Sequence, residues 1–105
     1  MALTAGAPTL DFRGWRVAIA GGSKGIGRAM ALGFAHAGAA VSVCARGATA
    51  LAHVHDELLA TGQAVHAVVC DLADPTAVTG WIDATAAALG GLDVLVNNAS
   101  GYGFD

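Results

Sequence analysis

An α/β fold with a doubly wound parallel sheet is predicted by three observations on the 105-residue chain. Four short apolar runs lack clean alternation, the segments between them carry helical spacing, and strand starts recur about every 24 to 28 residues, the length of a strand plus a crossover helix. The order is β-α-β-α-β-α-β, and right-handed crossovers then give the strand order 3-2-1-4.

The strands are read at Arg16 to Ala20, Val41 to Ala45, Ala64 to Cys70 and Leu92 to Asn97, all expected to be buried on both faces. In the first helix Ile26, Met30 and Phe34 fall at i, i+4 and i+8, and are expected to form its apolar face. The second places Leu51, Val54 and Leu58 on one stripe, and the third continues with Val78, Trp81, Ile82 and Leu89. Gly38, Gly62 and the pair Gly90-Gly91 supply the left-handed residues that close helices. Asp74-Pro75 opens the third, with an acceptor at the N-cap and a residue lacking an amide hydrogen in the first turn. Residues 1–10 read as a flexible N-terminal arm ahead of a partial dinucleotide-binding domain over 11–105.

Composition narrows the function classes. Hydrophobic residues make up 55% and charged ones 12%, with 5 Lys+Arg against 8 Asp+Glu, so the chain is neither disordered nor a basic nucleic-acid binder. No basic residue precedes an apolar stretch at the N-terminus and no long apolar run occurs, which argues against a signal or a membrane span. Cys44 and Cys70 each end a strand-like run and are expected to be reduced core thiols, which points to the cytoplasm. Four histidines show no ligand spacing, and no metal is expected. Asp56 and Glu57 adjoin on one helix and read as a solvated face rather than an acid/base pair.

The chemistry lies in the turn after the first strand, Ala20-Gly21-Gly22-Ser23-Lys24-Gly25-Ile26-Gly27. Where a strand feeds a helix, unpaired amides and the positive end of the helix dipole attract an anion, and glycines clear the backbone for its approach. The spacing Gly-x-x-x-Gly-x-Gly differs from the usual dinucleotide fingerprint, and it is not a P-loop. Gly21, Ser23, Lys24, Gly25, Ile26 and Gly27 are therefore the first cofactor-binding candidates. At the second strand's tip, where an acid would hold free ribose hydroxyls, stand Ala45 and Arg46. A guanidinium there suits a 2′-phosphate, and Lys24, the only lysine, stands within reach, so the cofactor is read as NADP in preference to NAD.

These residues resemble the classical short-chain dehydrogenase/reductase family. Gly21, Gly25, Ile26 and Gly27 stand in its Thr-Gly-x-x-x-Gly-x-Gly motif, and Asn97-Asn98-Ala99 in its Asn-Asn-Ala-Gly motif; the likeness covers about residues 11 to 101. It implies a Rossmann-type half-domain in which Asp71 meets the adenine amino group, Leu72 flanks its ring, and Asn98 and Ala99 lie by the neighbouring ribose. Asn97 is expected to tie strands together. Two positions depart from the pattern. Ala20 replaces the Thr that braces the turn, so a looser turn is expected, and Ser100 replaces the final Gly.

The family catalyses hydride transfer between NADPH and a small carbonyl or alcohol with a Ser and a Tyr-x-x-x-Lys further along a chain about twice this length. None of these is present, Tyr102 does not fit that place, and no residue of this chain is assigned a catalytic role. The resemblance thus implies the N-terminal part of an oxidoreductase, homo-oligomeric at full length, whose central fourth strand is exposed as an apolar edge here. A stand-alone nucleotide-binding or regulatory module without catalysis is the alternative. An S-adenosylmethionine site is disfavoured, because that ribose also wants an acid where Ala45 and Arg46 stand.

Overall fold

The computed structural model describes residues 10–98. Its elements follow the expected alternation: β1 (Arg16–Ala20), α1 (Gly25–His36), β2 (Ala40–Ala45), α2 (Ala48–Leu59), β3 (Val65–Val69), α3 (Pro75–Leu89) and β4 (Val94–Asn97). All strands are parallel in the order β3-β2-β1-β4, with Val17 opposite both Val41 and Val94. The chain walks outward from β1 to β3 and then returns to β1's other side, which makes the carboxyl ends of β1 and β4 a topological switch point, the usual ligand crevice of such sheets.

Side-chain alternation divides the core in two. Val17, Ile19, Val41 and Val43 point toward α1 and α2, where they meet Ala31, Ala35, Leu51, Val54 and Leu58. Ala18, Ala20, Cys44 and Cys70 point the other way and meet Trp81 of α3. Leu51, Val54 and Leu58 form the buried stripe of α2 as their spacing predicts. On α1 the buried face is Gly27, Ala31 and Ala35, one step from the expected Ile26, Met30 and Phe34, and Ile26 is 72% exposed. Small side chains let the helix axis approach the sheet closely, and Met30 and Phe34 then pack at the margins.

Burial on both faces holds for β1 and β2 but not for β3 and β4. Helix α3 packs over β1, β2 and β3, so the α3 side of β4 is left open and Leu95 is half exposed. Asp74 caps α3 as expected, accepting from the amides of Thr76 and Ala77, and Gly90 closes it in the left-handed region at φ 82°.

Arg16 locks the amino end of the sheet. Its backbone N–H and its guanidinium bond to Asp93 at 2.8–3.1 Å, and its Nη1 reaches the Gly90 carbonyl at 2.7 Å. A second ion pair, Arg28 with Glu57, joins α1 to α2, so Glu57 is a paired group and not simply a solvated one. The hydrogen bonds from Arg16 hold the Asp93 carboxyl below its ordinary value, and Arg28 does the same to Glu57. Stability from such lowered carboxylates is fully present above their unfolded-state pKa and is lost as pH falls through the folded value. The urea midpoint is therefore expected to drop as pH is lowered from about 4. Asp93→Asn should flatten that drop; an unchanged acid limb would show that the pair does not contribute.

Candidate functional site

All the strands point their carboxyl ends to one edge, and the predicted residues follow those ends: Gly21 to Gly27 after β1, Arg46 after β2, Asp71 and Leu72 after β3, and Asn98 after β4. Hydrogen bonds stitch these turns together. The amides of Gly21 and Gly22 donate to the Cys44 carbonyl at 2.9 and 3.3 Å, and that of Cys70 donates to the Ala45 carbonyl at 2.9 Å. Lys24, two residues past Gly22, and Arg46, two past Cys44, therefore leave neighbouring turns, and both are exposed.

The glycines are needed for separate reasons. Gly21 sits at φ 79°, a left-handed conformation that side chains rarely adopt. A Cβ on Gly22 would come within 2.6 Å of Val43 Cγ1, and one on Gly27 would collide with the Gly21 carbonyl oxygen. The turn is also braced from β4. Asn98 donates its amide to the Ala20 carbonyl at 3.0 Å and its side-chain Nδ2 to the Gly21 carbonyl at 3.3 Å. Asn98 thus ties the end of β4 to the turn that follows Ala20. Ala99 lies outside the described residues, as do Ser100 and Tyr102.

Two features at the head of α1 suit a phosphorylated ligand. Lys24 is the N-cap, its side chain makes no capping hydrogen bond, and no acid occupies the first turn. Beside it Ser23 is 4% exposed, and its Oγ has no hydrogen-bond partner among the described residues. A buried hydroxyl without a partner is costly, so it marks a place where a polar group is wanted. Asp71 is exposed, with Oδ1 accepting from the Ala73 amide at 2.9 Å, which orders the turn ahead of α3. Half-buried Leu72 packs at the edge of the Trp81 cluster.

The short chain dehydrogenase family profile matches residues 16–105. The chain belongs to the short-chain dehydrogenase family. It is 40% identical over 85 residues to the 7alpha-hydroxysteroid dehydrogenase of Escherichia coli (strain K12), covering 81% of this chain and 33% of that protein. An uncharacterized oxidoreductase of Mycobacterium tuberculosis is 40% identical over 83 residues, with 79% and 32% covered. Among solved structures, the hydroxysteroid dehydrogenase from Escherichia coli superposes with a TM-score of 0.80 at 38% identity, over 89% of this chain and 40% of that one. This short-chain dehydrogenase chain thus spans about a third of the length of the curated relatives it matches. Nicotinamide dinucleotides are the cofactors of this family. Among the described residues no helix is long and apolar enough to cross a membrane.

Proposed function

We propose that this chain forms the adenosine and pyrophosphate end of an NADP site in a short-chain oxidoreductase that interconverts small carbonyls and alcohols. The observation that carries the reading is the head of α1, where open helix amides, a glycine path and the buried unpartnered Ser23 hydroxyl converge. Those residues fit a dinucleotide: the amides and Ser23 meet its phosphates and ribose, Asp71 and Leu72 its adenine, and Asn98 with Ala99 the neighbouring ribose. Lys24 and Arg46 supply the positive charge that a 2′-phosphate requires, and neither β1's nor β2's carboxyl end carries a carboxylate to oppose it.

When bound, the nicotinamide ring of such a cofactor accepts or donates hydride. This chain's residues do the work that comes before: they bind, orient the adenosine half, and select between the phosphorylated and unphosphorylated forms. Proton transfer belongs to a Tyr-Lys pair that this sequence does not contain, so turnover of NADPH with a panel of ketones by the 105-residue chain is expected to be negligible. Measurable turnover would refute that division of labour.

Arg46→Ala is expected to weaken NADPH binding by about 1.5–3 kcal/mol, the range for hydrogen bonds to charged groups, while NADH binding stays nearly constant. Isothermal titration with both dinucleotides checks this. Equal losses for the two would remove the 2′-phosphate assignment, and binding of neither to the unaltered protein would remove the site.

A further inference from the structure

On the α3 side of the sheet, away from the glycine turn, three hydrogen bonds converge on one buried hydroxyl. Ser42 Oγ on β2 lies 2.9 Å from Trp81 Nε1, 2.7 Å from Thr85 Oγ1 and 3.0 Å from His66 Nδ1. Ser42, Trp81 and Thr85 are buried, and His66 on β3 is half-buried. The donor inventory leaves few arrangements. Trp81 can only donate, so it takes one Ser42 lone pair. Ser42 keeps one proton and one lone pair for His66 and Thr85.

We propose that protonation of His66 reverses the direction of these bonds, making the hub a proton-operated link between β2, β3 and α3. With His66 neutral and its proton on Nε2, Ser42 donates to Nδ1 and Thr85 donates to Ser42. Every partner is then satisfied. With His66 protonated, Nδ1–H donates to Ser42, the Ser42 proton turns to Thr85, and the Thr85 proton must leave for its own helix. A helical threonine hydroxyl commonly back-bonds to the carbonyl four residues earlier, here that of Trp81, and such a bond bends helices. One proton gained at Nδ1 thus moves no heavy atom out of the hub: it reverses the His66 and Thr85 bonds to Ser42 and adds a hydrogen bond within α3. Since α3 begins just after the Asp71–Asp74 turn, the link is placed to transmit that change to the adenine side; this last step rests on the NADP reading, whereas the hub itself does not.

The neighbouring groups keep the switch separable. The titratable and charged residues on the elements packed at this side are Arg16, Cys44, Cys70, Asp71, Asp74 and Asp83, and none is of the type that ordinarily changes charge between pH 5 and 8. His36, His53 and His55 belong to α1 and α2 on the opposite face of the sheet.

The test is nitrogen-15 NMR on the labelled protein without dinucleotide, so that failure of the cofactor reading does not bear on it. The imidazole nitrogens of His66 and the indole N–H of Trp81 are followed from pH 8 to pH 5, with Trp15→Phe assigning the two indoles. At pH 8 the neutral His66 is expected to carry its proton on Nε2. On acidification the Trp81 signal should move with the same midpoint as His66, and in His66→Gln it should stay flat. A neutral His66 protonated on Nδ1 overturns the proposal, as does a Trp81 signal that ignores the His66 titration or still moves in His66→Gln. The tautomer is read in the unaltered protein, so the proposal remains decidable even where the variant does not fold.

Discussion

Trp81→Ala is expected to destabilise the protein by about 3–5 kcal/mol, the range for removing a large buried aromatic side chain. That is a large share of the roughly 5–15 kcal/mol that holds a typical domain together. The reason lies in how little else anchors α3. Its only fully buried residues are Trp81 and Thr85, and the buried residues that Trp81 joins are small, Ala18, Ala20, Cys44 and Cys70, with Val68, Leu72, Val78, Ile82 and Leu92 packed around them. The small buried neighbours cannot fill the vacated space and the larger ones at the margin relax only in part, so a cavity remains. Trp81→Phe weighs volume against hydrogen bonding, because it keeps a six-membered aromatic ring and removes the N–H bonded to Ser42 together with part of the indole's volume. It should cost about 1 kcal/mol, the net worth of one hydrogen bond, plus a smaller packing loss. Urea unfolding of both variants checks the ranking; equal losses would mean that the hydrogen bond, and not the packing, fixes α3 to the sheet.

How much of this was legible in the letters depended on whether the determining physics was local. Asp74-Pro75 announces the start of α3 because a cap bonds amides two and three residues on, and Gly21 announces a left-handed turn because few other residues accept one. Strand order followed from crossover handedness once the alternation was seen. The Ser42 hub could not be read the same way, since its partners lie 24, 39 and 43 residues along the chain and Ser and Thr look polar at positions that prove to be core. On α1 the apolar pattern pointed to Ile26, although the buried face belongs to Gly27, Ala31 and Ala35. Periodicity finds the large apolar side chains, whereas close packing against a sheet selects the small ones. The abundance of alanine and glycine, 40 of the 105 residues, carried that signal in composition but not in phase. At the site, the residue types after each strand were readable from position alone, yet the brace by Asn98 was not. It depends on a backbone carbonyl, that of Gly21, which sequence cannot orient.

The same distinction between local propensity and close approach makes two glycines of one helix respond in opposite directions. Gly27 and Gly33 both lie in α1, where alanine is intrinsically the better helix former by about 1 kcal/mol. At Gly33 a Cβ would meet nothing within 4 Å, so Gly33→Ala should stabilise the protein by up to about that amount. At Gly27 the added carbon would strike the Gly21 carbonyl oxygen and sit 2.7 Å from Asn98 Nδ2. Neither can yield cheaply. The Gly21 carbonyl is held by Asn98, and the Gly21 amide by the Cys44 carbonyl, so relief requires α1 to move off β1 with the whole turn. Gly27→Ala should therefore cost about 3 kcal/mol, at the upper end for overpacking a rigid site. Because the head of α1 moves with it, NADPH affinity should fall at least tenfold, about 1.4 kcal/mol, while Gly33→Ala binds as the unaltered protein does. Urea midpoints and NADPH titrations of the two variants side by side decide the matter. Were Gly27→Ala as stable as Gly33→Ala and still able to bind, the close approach of α1 to the turn would not be what shapes the dinucleotide site.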